Sequence, residues 1–175
     1  LVGCKLAITS SRPQTTRQRV TGIVTRPGAQ IVFVDTPGFQ KEHRSALNSA
    51  MNRGVEAGLQ DVDAAVWLVE ALRYDARDEA VARLLGGDQP VILAINKTDR
   101  VRDRKLLLPF IARLAKLRAF AAFVPVSAAK GWQIEDLLDA IVPLLPEGPP
   151  LYGEDEFTTD SERFLGLGDQ GAGGM

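Results

Sequence analysis

The sequence lacks the features of several common protein classes. Its single cysteine, Cys4, cannot form a disulfide within the chain, which fits a reducing compartment. No apolar run approaches the roughly 18 residues of a transmembrane helix, and the stretch from Leu1 to Val20 has scattered polar and basic residues instead of a signal peptide. Lys and Arg (21) nearly balance Asp and Glu (22), so there is no general basic field for nucleic acid. Any contact with RNA therefore needs a local basic patch or another domain.

Apolar runs alternate with amphipathic segments along the chain. In 175 residues that are 45% hydrophobic, this alternation predicts one α/β domain with a mostly parallel sheet. Residues 19–35 are typical of an antiparallel hairpin around a Pro27-Gly28 turn. Further strands are predicted at 62–70, before Asn96 and before Ser127, and helices at 40–60, 75–85, 104–117 and 132–145. We place the domain at residues 1–146, and we interpret residues 147–175, rich in Gly, Pro and acids, as a linker and disordered tail.

Polar motifs follow three of the predicted strands. Asp35 begins the first, and a carboxylate at the C-terminal end of a strand can hold a hydrated Mg²⁺. Gly38 has no side chain, so its N–H could approach a phosphate closely. Alone, this motif is equally typical of a strand followed by a Pro-Gly turn. The three motifs are Asp35-Thr36-Pro37-Gly38-Phe39, Asn96-Lys97-Thr98-Asp99 and Ser127-Ala128.

The order and placement of these motifs resemble the GTP-binding proteins of the Ras-like P-loop superfamily. Residues 8–17 and 154–164 narrow the resemblance to the Era family of bacterial GTPases, and the similarity runs from about residue 3 to residue 164. The resemblance implies a Ras-like G domain with helices on both faces of the sheet, GTP/GDP and Mg²⁺ as ligands, and GTP hydrolysis coupled to assembly of the small ribosomal subunit. It also implies rRNA binding through a KH domain and a cytoplasmic location, with peripheral association at the inner membrane as an added expectation.

The resemblance assigns the second and third motifs to recognition of guanine. The Asp99 carboxylate would accept hydrogen bonds from the guanine N1–H and exocyclic amine, and adenine offers no such pair, so discrimination could reach roughly 10⁴-fold. Lys97 would lay its methylene stem along the base, and Asn96 would brace the neighbouring loops. Ser127 and Ala128 would orient a backbone N–H toward the guanine O6. The alternative is an ordinary strand-to-helix loop.

The catalytic assignments fall on the earlier motifs. Thr16, with Thr15 as the other candidate, would ligate Mg²⁺ together with Asp35 and sense the γ-phosphate, unless this stretch is only a polar surface loop. The N–H of Gly38 would meet the same phosphate. Phe39 stands where Ras-type enzymes carry the glutamine that orients the attacking water. We therefore expect slow hydrolysis that depends on charge neutralisation and backbone groups.

Two departures from the family pattern affect the functional hypothesis. No G-x-x-x-x-G-K-[ST] sequence occurs in the chain, so we expect the first strand and the P-loop to be absent, two strand edges to be unpaired, and GTP binding to weaken by about 10⁴-fold. We also expect the KH domain of the family to be absent from this chain. Two alternatives stay open: a nonenzymatic, truncated or degenerate G-domain fragment or interaction module, and another ribosome-assembly P-loop GTPase.

Overall fold

The computed structural model describes residues 6–9, 20–35, 62–85 and 88–153. Their strands form one six-stranded sheet in the order β2-β3-β1-β4-β5-β6. The strands are β1 (Leu6–Thr9), β2 (Val20–Arg26), β3 (Ala29–Asp35), β4 (Ala64–Glu70), β5 (Val91–Asn96) and β6 (Ala122–Pro125). The helices are α1 (Ala76–Leu84), α2 (Leu107–Leu114) and α3 (Ile134–Ile141), with 3₁₀ turns at Thr98–Arg100, Arg104–Leu106 and Val142–Leu144.

Strands β4, β5 and β6 form the parallel part of the sheet. Their sequences are nearly continuous apolar runs because both faces of the sheet are covered. On one face Trp67 and Leu93 pack with Val81 of α1 and Phe110 of α2. On the other face β5 packs with Leu138 and Ile141 of α3. The predicted α/β fold with helices on both faces is confirmed.

The other part of the sheet is antiparallel. Strands β2 and β3 form the predicted hairpin, and Gly28 in its turn has a φ of 79°, a conformation that glycine adopts without strain. Strand β1 lies between β3 and β4 and runs antiparallel to both. As a result β3, β4, β5 and β6 all point the same way, but of the five neighbouring strand pairs only β4–β5 and β5–β6 are parallel.

The expectation of two unpaired strand edges in the centre of the sheet is wrong. Ala7 of β1 is paired with Asp35 of β3 on one side and with Val66 of β4 on the other. Backbone N–H and C=O groups left without partners between two buried strands would be costly, and the Leu6–Thr9 segment supplies those partners. The central position is therefore filled by a strand that the sequence analysis did not predict.

The predicted helices at 75–85, 104–117 and 132–145 are confirmed, each with a shorter regular core. Helix α1 begins with a capping box, in which Asp75 accepts a hydrogen bond from the Arg77 N–H at 2.8 Å. The predicted helix at 40–60 lies outside the described residues. The boundary at residue 146 stays a prediction, but the chain packs back onto the sheet beyond it, where the N–H groups of Leu151 and Tyr152 donate to Gln30 Oε1 at 2.9 and 3.0 Å.

Candidate functional site

The two loops that follow β5 and β6 lie side by side at the C-terminal end of the parallel strands. The parallel register pairs Glu70, the last residue of β4, with Asn96, the last residue of β5. Ile95 is in turn paired with Pro125 at the end of β6. Because the C-terminal ends of neighbouring parallel strands share an edge, the second and third motifs of the sequence meet there.

Buried polar groups bind these two loops to each other. The Thr98 N–H and hydroxyl both donate to the Val126 carbonyl, at 3.1 and 2.8 Å. The Ser127 hydroxyl donates to Asp99 Oδ1 at 2.6 Å. Thr98 is 8% exposed and Ser127 is fully buried, so the bonds of Thr98 are shielded from competing water and the donor of the Ser127 bond is as well. The resulting connection fixes the position of Asp99 relative to β6.

The hydrogen bond from Ser127 holds the pKa of Asp99 below its ordinary value. Arg100 and Lys130 lower the pKa further, and desolvation opposes them. The carboxyl group is therefore ionised at neutral pH and can only accept hydrogen bonds. A carboxylate has room for about four such bonds, so the one from Ser127 leaves acceptor positions for a ligand.

Asn96 and Lys97 form the corner between β5 and its loop. Asn96 Oδ1 accepts from the Lys97 N–H at 2.7 Å and from the Ala128 N–H at 3.0 Å, so one amide joins both loops. Lys97 has a φ of 65°, which is unusual for a residue with a side chain. Its ammonium group lies 2.6 Å from Glu70 Oε2. The Ala128 N–H thus donates to Asn96 in this structure, and the orientation of a backbone N–H toward the guanine O6 by Ser127 and Ala128 stays a prediction.

The structure brings together six of the predicted site residues: Asn96, Lys97, Thr98, Asp99, Ser127 and Ala128. Asp35 ends β3, which points toward the same edge, but the register through β1 places it level with Val66, four residues before β4 ends. Within the described ranges no group of three or more His, Cys, Asp or Glu could hold a metal ion. Thr16 lies outside those ranges, so Mg²⁺ ligation by Thr16 and Asp35 stays a prediction. The remaining predicted residues, Thr16, Thr36, Pro37, Gly38 and Phe39, lie outside the described residues.

Sequence reasoning missed Glu70. It ends an apolar run and is separated from Lys97 by 27 positions, so only the register of β4 and β5 brings the two together. The signal that could have found it is an acid at the C-terminal end of a buried strand. Glu70 and Lys97 also border an open cleft of about 420 Å³, which shares only Lys97 with the predicted guanine-binding residues.

Comparisons with known proteins agree with this arrangement. The sequence model of a family described as "50S ribosome-binding GTPase" matches residues 1–97. The chain is 48% identical over 166 residues to GTPase Era of Xanthomonas campestris pv. campestris strain B100, and 50% identical over 165 residues to GTPase Era of Nitrosomonas eutropha. Each alignment covers 94% of the chain and 56% of the relative, so the chain spans about half the length of these curated proteins.

Two solved Era structures are also similar. The first, a complex with MgGDPNP and nucleotides 1506–1542 of 16S ribosomal RNA, matches with a TM-score of 0.69 and 34% identity over 91% of this chain and 55% of that one. The second, a point variant of Aquifex aeolicus Era bound to GDP.AlF4⁻, matches with a TM-score of 0.66 and 34% identity over 86% of this chain and 52% of that one. Since the family model spans more than half of the 175 residues, the chain belongs to the 50S ribosome-binding GTPase family, and its similarity within that family is to Era.

Proposed function

We propose that the chain forms the guanine-recognising part of an Era-type GTP-binding protein. The observation that carries this proposal is the Asp99 carboxylate, which accepts a hydrogen bond from Ser127 and lies on a loop that Thr98 ties to the end of β6. A fixed anion at this place can accept from two adjacent donors on guanine. The same anion would be left unpaired by adenine, which gives a physical basis for selecting GTP and GDP.

Two groups of residues would hold the nucleotide at the C-terminal ends of the strands, one at the base and one at the phosphates. Asp99 would bind the base, the methylene stem of Lys97 would lie along it, and Asn96 would keep the two loops together. Thr16 and Asp35 would hold Mg²⁺, which neutralises phosphate charge. Asp35 is the last residue of β3, and β3 runs toward the same end of the sheet as β5 and β6, which supports that role. The Gly38 N–H would face the γ-phosphate. Hydrolysis would be slow, because Phe39 stands where Ras-type enzymes carry the glutamine that orients the attacking water.

The proposed partner is the small ribosomal subunit and its rRNA. The family description names the 50S subunit, but the similar Era complex contains 16S rRNA, and this second observation favours the small subunit. The net charge of -1 gives the chain little to neutralise phosphates, so RNA would be bound chiefly by a KH domain in the full-length protein. We further propose a cytoplasmic protein with peripheral association at the inner membrane. No helix in the described ranges is long and apolar enough to cross a membrane.

The 175-residue chain on its own should bind GTP weakly, because the sequence has no Walker A pattern. Titration of a fluorescent GDP analogue should then show no saturation at low micromolar protein. The alternatives make different predictions: a nonenzymatic module would bind no nucleotide even at full length, and another P-loop GTPase would bind GTP but not 16S rRNA. Tight Mg²⁺-dependent binding by the 175-residue chain would contradict the assignment of the phosphate site.

Replacing the Asp99 carboxylate tests the proposal directly. In the full-length protein, Asp99→Asn should weaken GDP binding by about 10³-fold and strengthen xanthosine diphosphate binding, because an acceptor becomes a donor. The matched control is Asp103→Asn, since Asp103 caps the Lys105 N–H in the next turn and asparagine caps equally well. Unchanged GDP affinity in the Asp99 variant would show that the base binds elsewhere.

A further inference from the structure

We infer that Glu70 is a positioning residue for base recognition, which it serves by holding the ammonium group of Lys97. This inference depends on the proposed guanine site and adds a residue to it that none of the three sequence motifs contains. It begins with the 2.6 Å ion pair between Lys97 Nζ and Glu70 Oε2.

The register of the sheet places the two residues side by side. Glu70 and Asn96 are paired at the ends of β4 and β5, and the Ala71 N–H donates to the Asn96 carbonyl at 2.8 Å. The residue after Asn96 is therefore beside Glu70 whatever the side chains do. Lys97 needs no long-range loop rearrangement to reach its partner.

The backbone of Lys97 is held in the conformation that allows the contact. Its φ and ψ of 65° and 31° are left-handed, and its N–H is bound to Asn96 Oδ1 at 2.7 Å. A side chain in this backbone region costs conformational energy, which persists only where surrounding contacts fix it. Strain of this kind is found at functional sites more often than in ordinary turns.

The pair is also better shielded than a surface ion pair. The side chains of Lys97 and Glu70 are 27% and 24% exposed, whereas those of Arg83 and Glu79 on α1 are 77% and 43% exposed. A short charge-assisted bond in partial shelter from solvent is stronger than an exposed one. It would immobilise the four-carbon stem of Lys97 before the nucleotide arrives.

Immobilising that stem is what base binding requires of Lys97. Guanine is uncharged and offers the ammonium group no counter-charge, whereas Glu70 supplies one. Without Glu70, the long side chain of Lys97 would lose its conformational freedom only when the nucleotide binds. The entropy of one such side chain corresponds to a loss of about fivefold in affinity.

A double-mutant cycle on the full-length protein tests this, with fluorescent GDP as the probe. Glu70→Gln should weaken GDP binding about fivefold, and should weaken inosine diphosphate equally, because Asp99 is untouched. In a Lys97→Met background, Glu70→Gln should cause no further loss. Glu79→Gln, which removes a carboxylate from the exposed α1 pair, should leave both affinities unchanged.

The outcomes separate this inference from the proposed function. If Glu70→Gln weakens GDP binding equally with and without the Lys97 ammonium, Glu70 acts on the fold rather than through Lys97, and the inference is overturned. The same holds if the Glu70 variant behaves like the Glu79 control. If the unsubstituted full-length protein binds no GDP, the proposed function and the inference both fail.

Discussion

The two ends of the sheet differ in how fully their strands are buried and in the contacts that join them to neighbouring segments. At the parallel end, Val91 to Ile95 of β5 are at most 1% exposed, with helices on both faces, and buried hydrogen bonds join the loops beyond. At the hairpin end Ile31 to Val34 of β3 are also at most 3% exposed, but the edge strand β2 is only partly buried. Its last residue, Arg26, forms ion pairs with Glu135 and Asp139, whose side chains are mostly exposed. The comparison indicates that the proposed guanine site is built on buried strands and loops, while the edge strand β2 of the hairpin contributes less to stability than the buried strands do.

The largest expected effect comes from shortening a core side chain at the parallel end. Trp67 is fully buried in β4. Its ring stacks on that of Phe120 with 6.1 Å between ring centroids, and it meets the ring of Tyr74 edge-on at a centroid distance of 6.4 Å. Trp67→Ala should lower the free energy of unfolding by about 3–5 kcal/mol, because it leaves a large cavity. Ile23→Ala in β2, where the side chain is only partly buried, should cost less than half as much. Chemical denaturation of both variants measures the difference.

Trp67→Phe serves as the control for this cavity. Among the described residues the indole N–H of Trp67 has no hydrogen-bond partner, so phenylalanine removes no bond and keeps most of the ring packing. Its cost should be less than half that of the alanine variant. Equal losses for Trp67→Ala and Ile23→Ala would show that the hairpin is as firmly packed as the parallel strands.

The sequence was sufficient to predict the parallel end, and physical reasons explain why. Apolar runs that end in turn residues predicted β4, β5 and β6, and amphipathic spacing predicted α1, α2 and α3. Both signals are local and follow from burial, so no knowledge of the register is needed. That the motifs at the strand ends meet then follows from the rule that the C-terminal ends of neighbouring parallel strands lie side by side.

The features that could not be predicted all depend on pairing between distant segments. Nothing in Leu6–Thr9 indicates that it enters the sheet antiparallel between β3 and β4. The contact of Glu70 with Lys97 needs the register of two strands, and the contact of Gln30 with Tyr152 joins residues 122 positions apart. A hydrogen-bonding side chain such as Gln30 carries no sequence pattern that names its partner.

A smaller effect is expected from loosening the loops at the parallel end. Thr98→Val removes the 2.8 Å hydrogen bond to the Val126 carbonyl but leaves the one from the Thr98 N–H. The loss should be about 1 kcal/mol in unfolding free energy, with severalfold faster release of GDP from the full-length protein. Thr25→Val at the hairpin is the matched change, because the Thr25 hydroxyl is exposed and accepts only a 3.2 Å bond from Gln30.

Thr98→Ser, which keeps the hydroxyl, should restore both stability and the rate of GDP release. If Thr25→Val and Thr98→Val destabilise equally, burial of the hydrogen bond is not what distinguishes the two ends. If Thr98→Val lowers stability but leaves GDP release unchanged, the connection between the loops does not position Asp99.

The smallest effect is expected at the ion pairs of the hairpin. Arg26 has a side chain 19% exposed, but its partners Glu135 and Asp139 are 79% and 71% exposed. Pairs with such partners contribute about 0–1 kcal/mol and weaken with salt. Arg26→Ala should therefore reduce stability by less than about 1 kcal/mol at 0.1 M ionic strength, and the difference from the unsubstituted protein should shrink near 1 M. A loss of several kcal/mol that salt does not change would mean that the Arg26 stem packs as core, and the edge strand β2 would then be held by burial just as β3 and the parallel strands are.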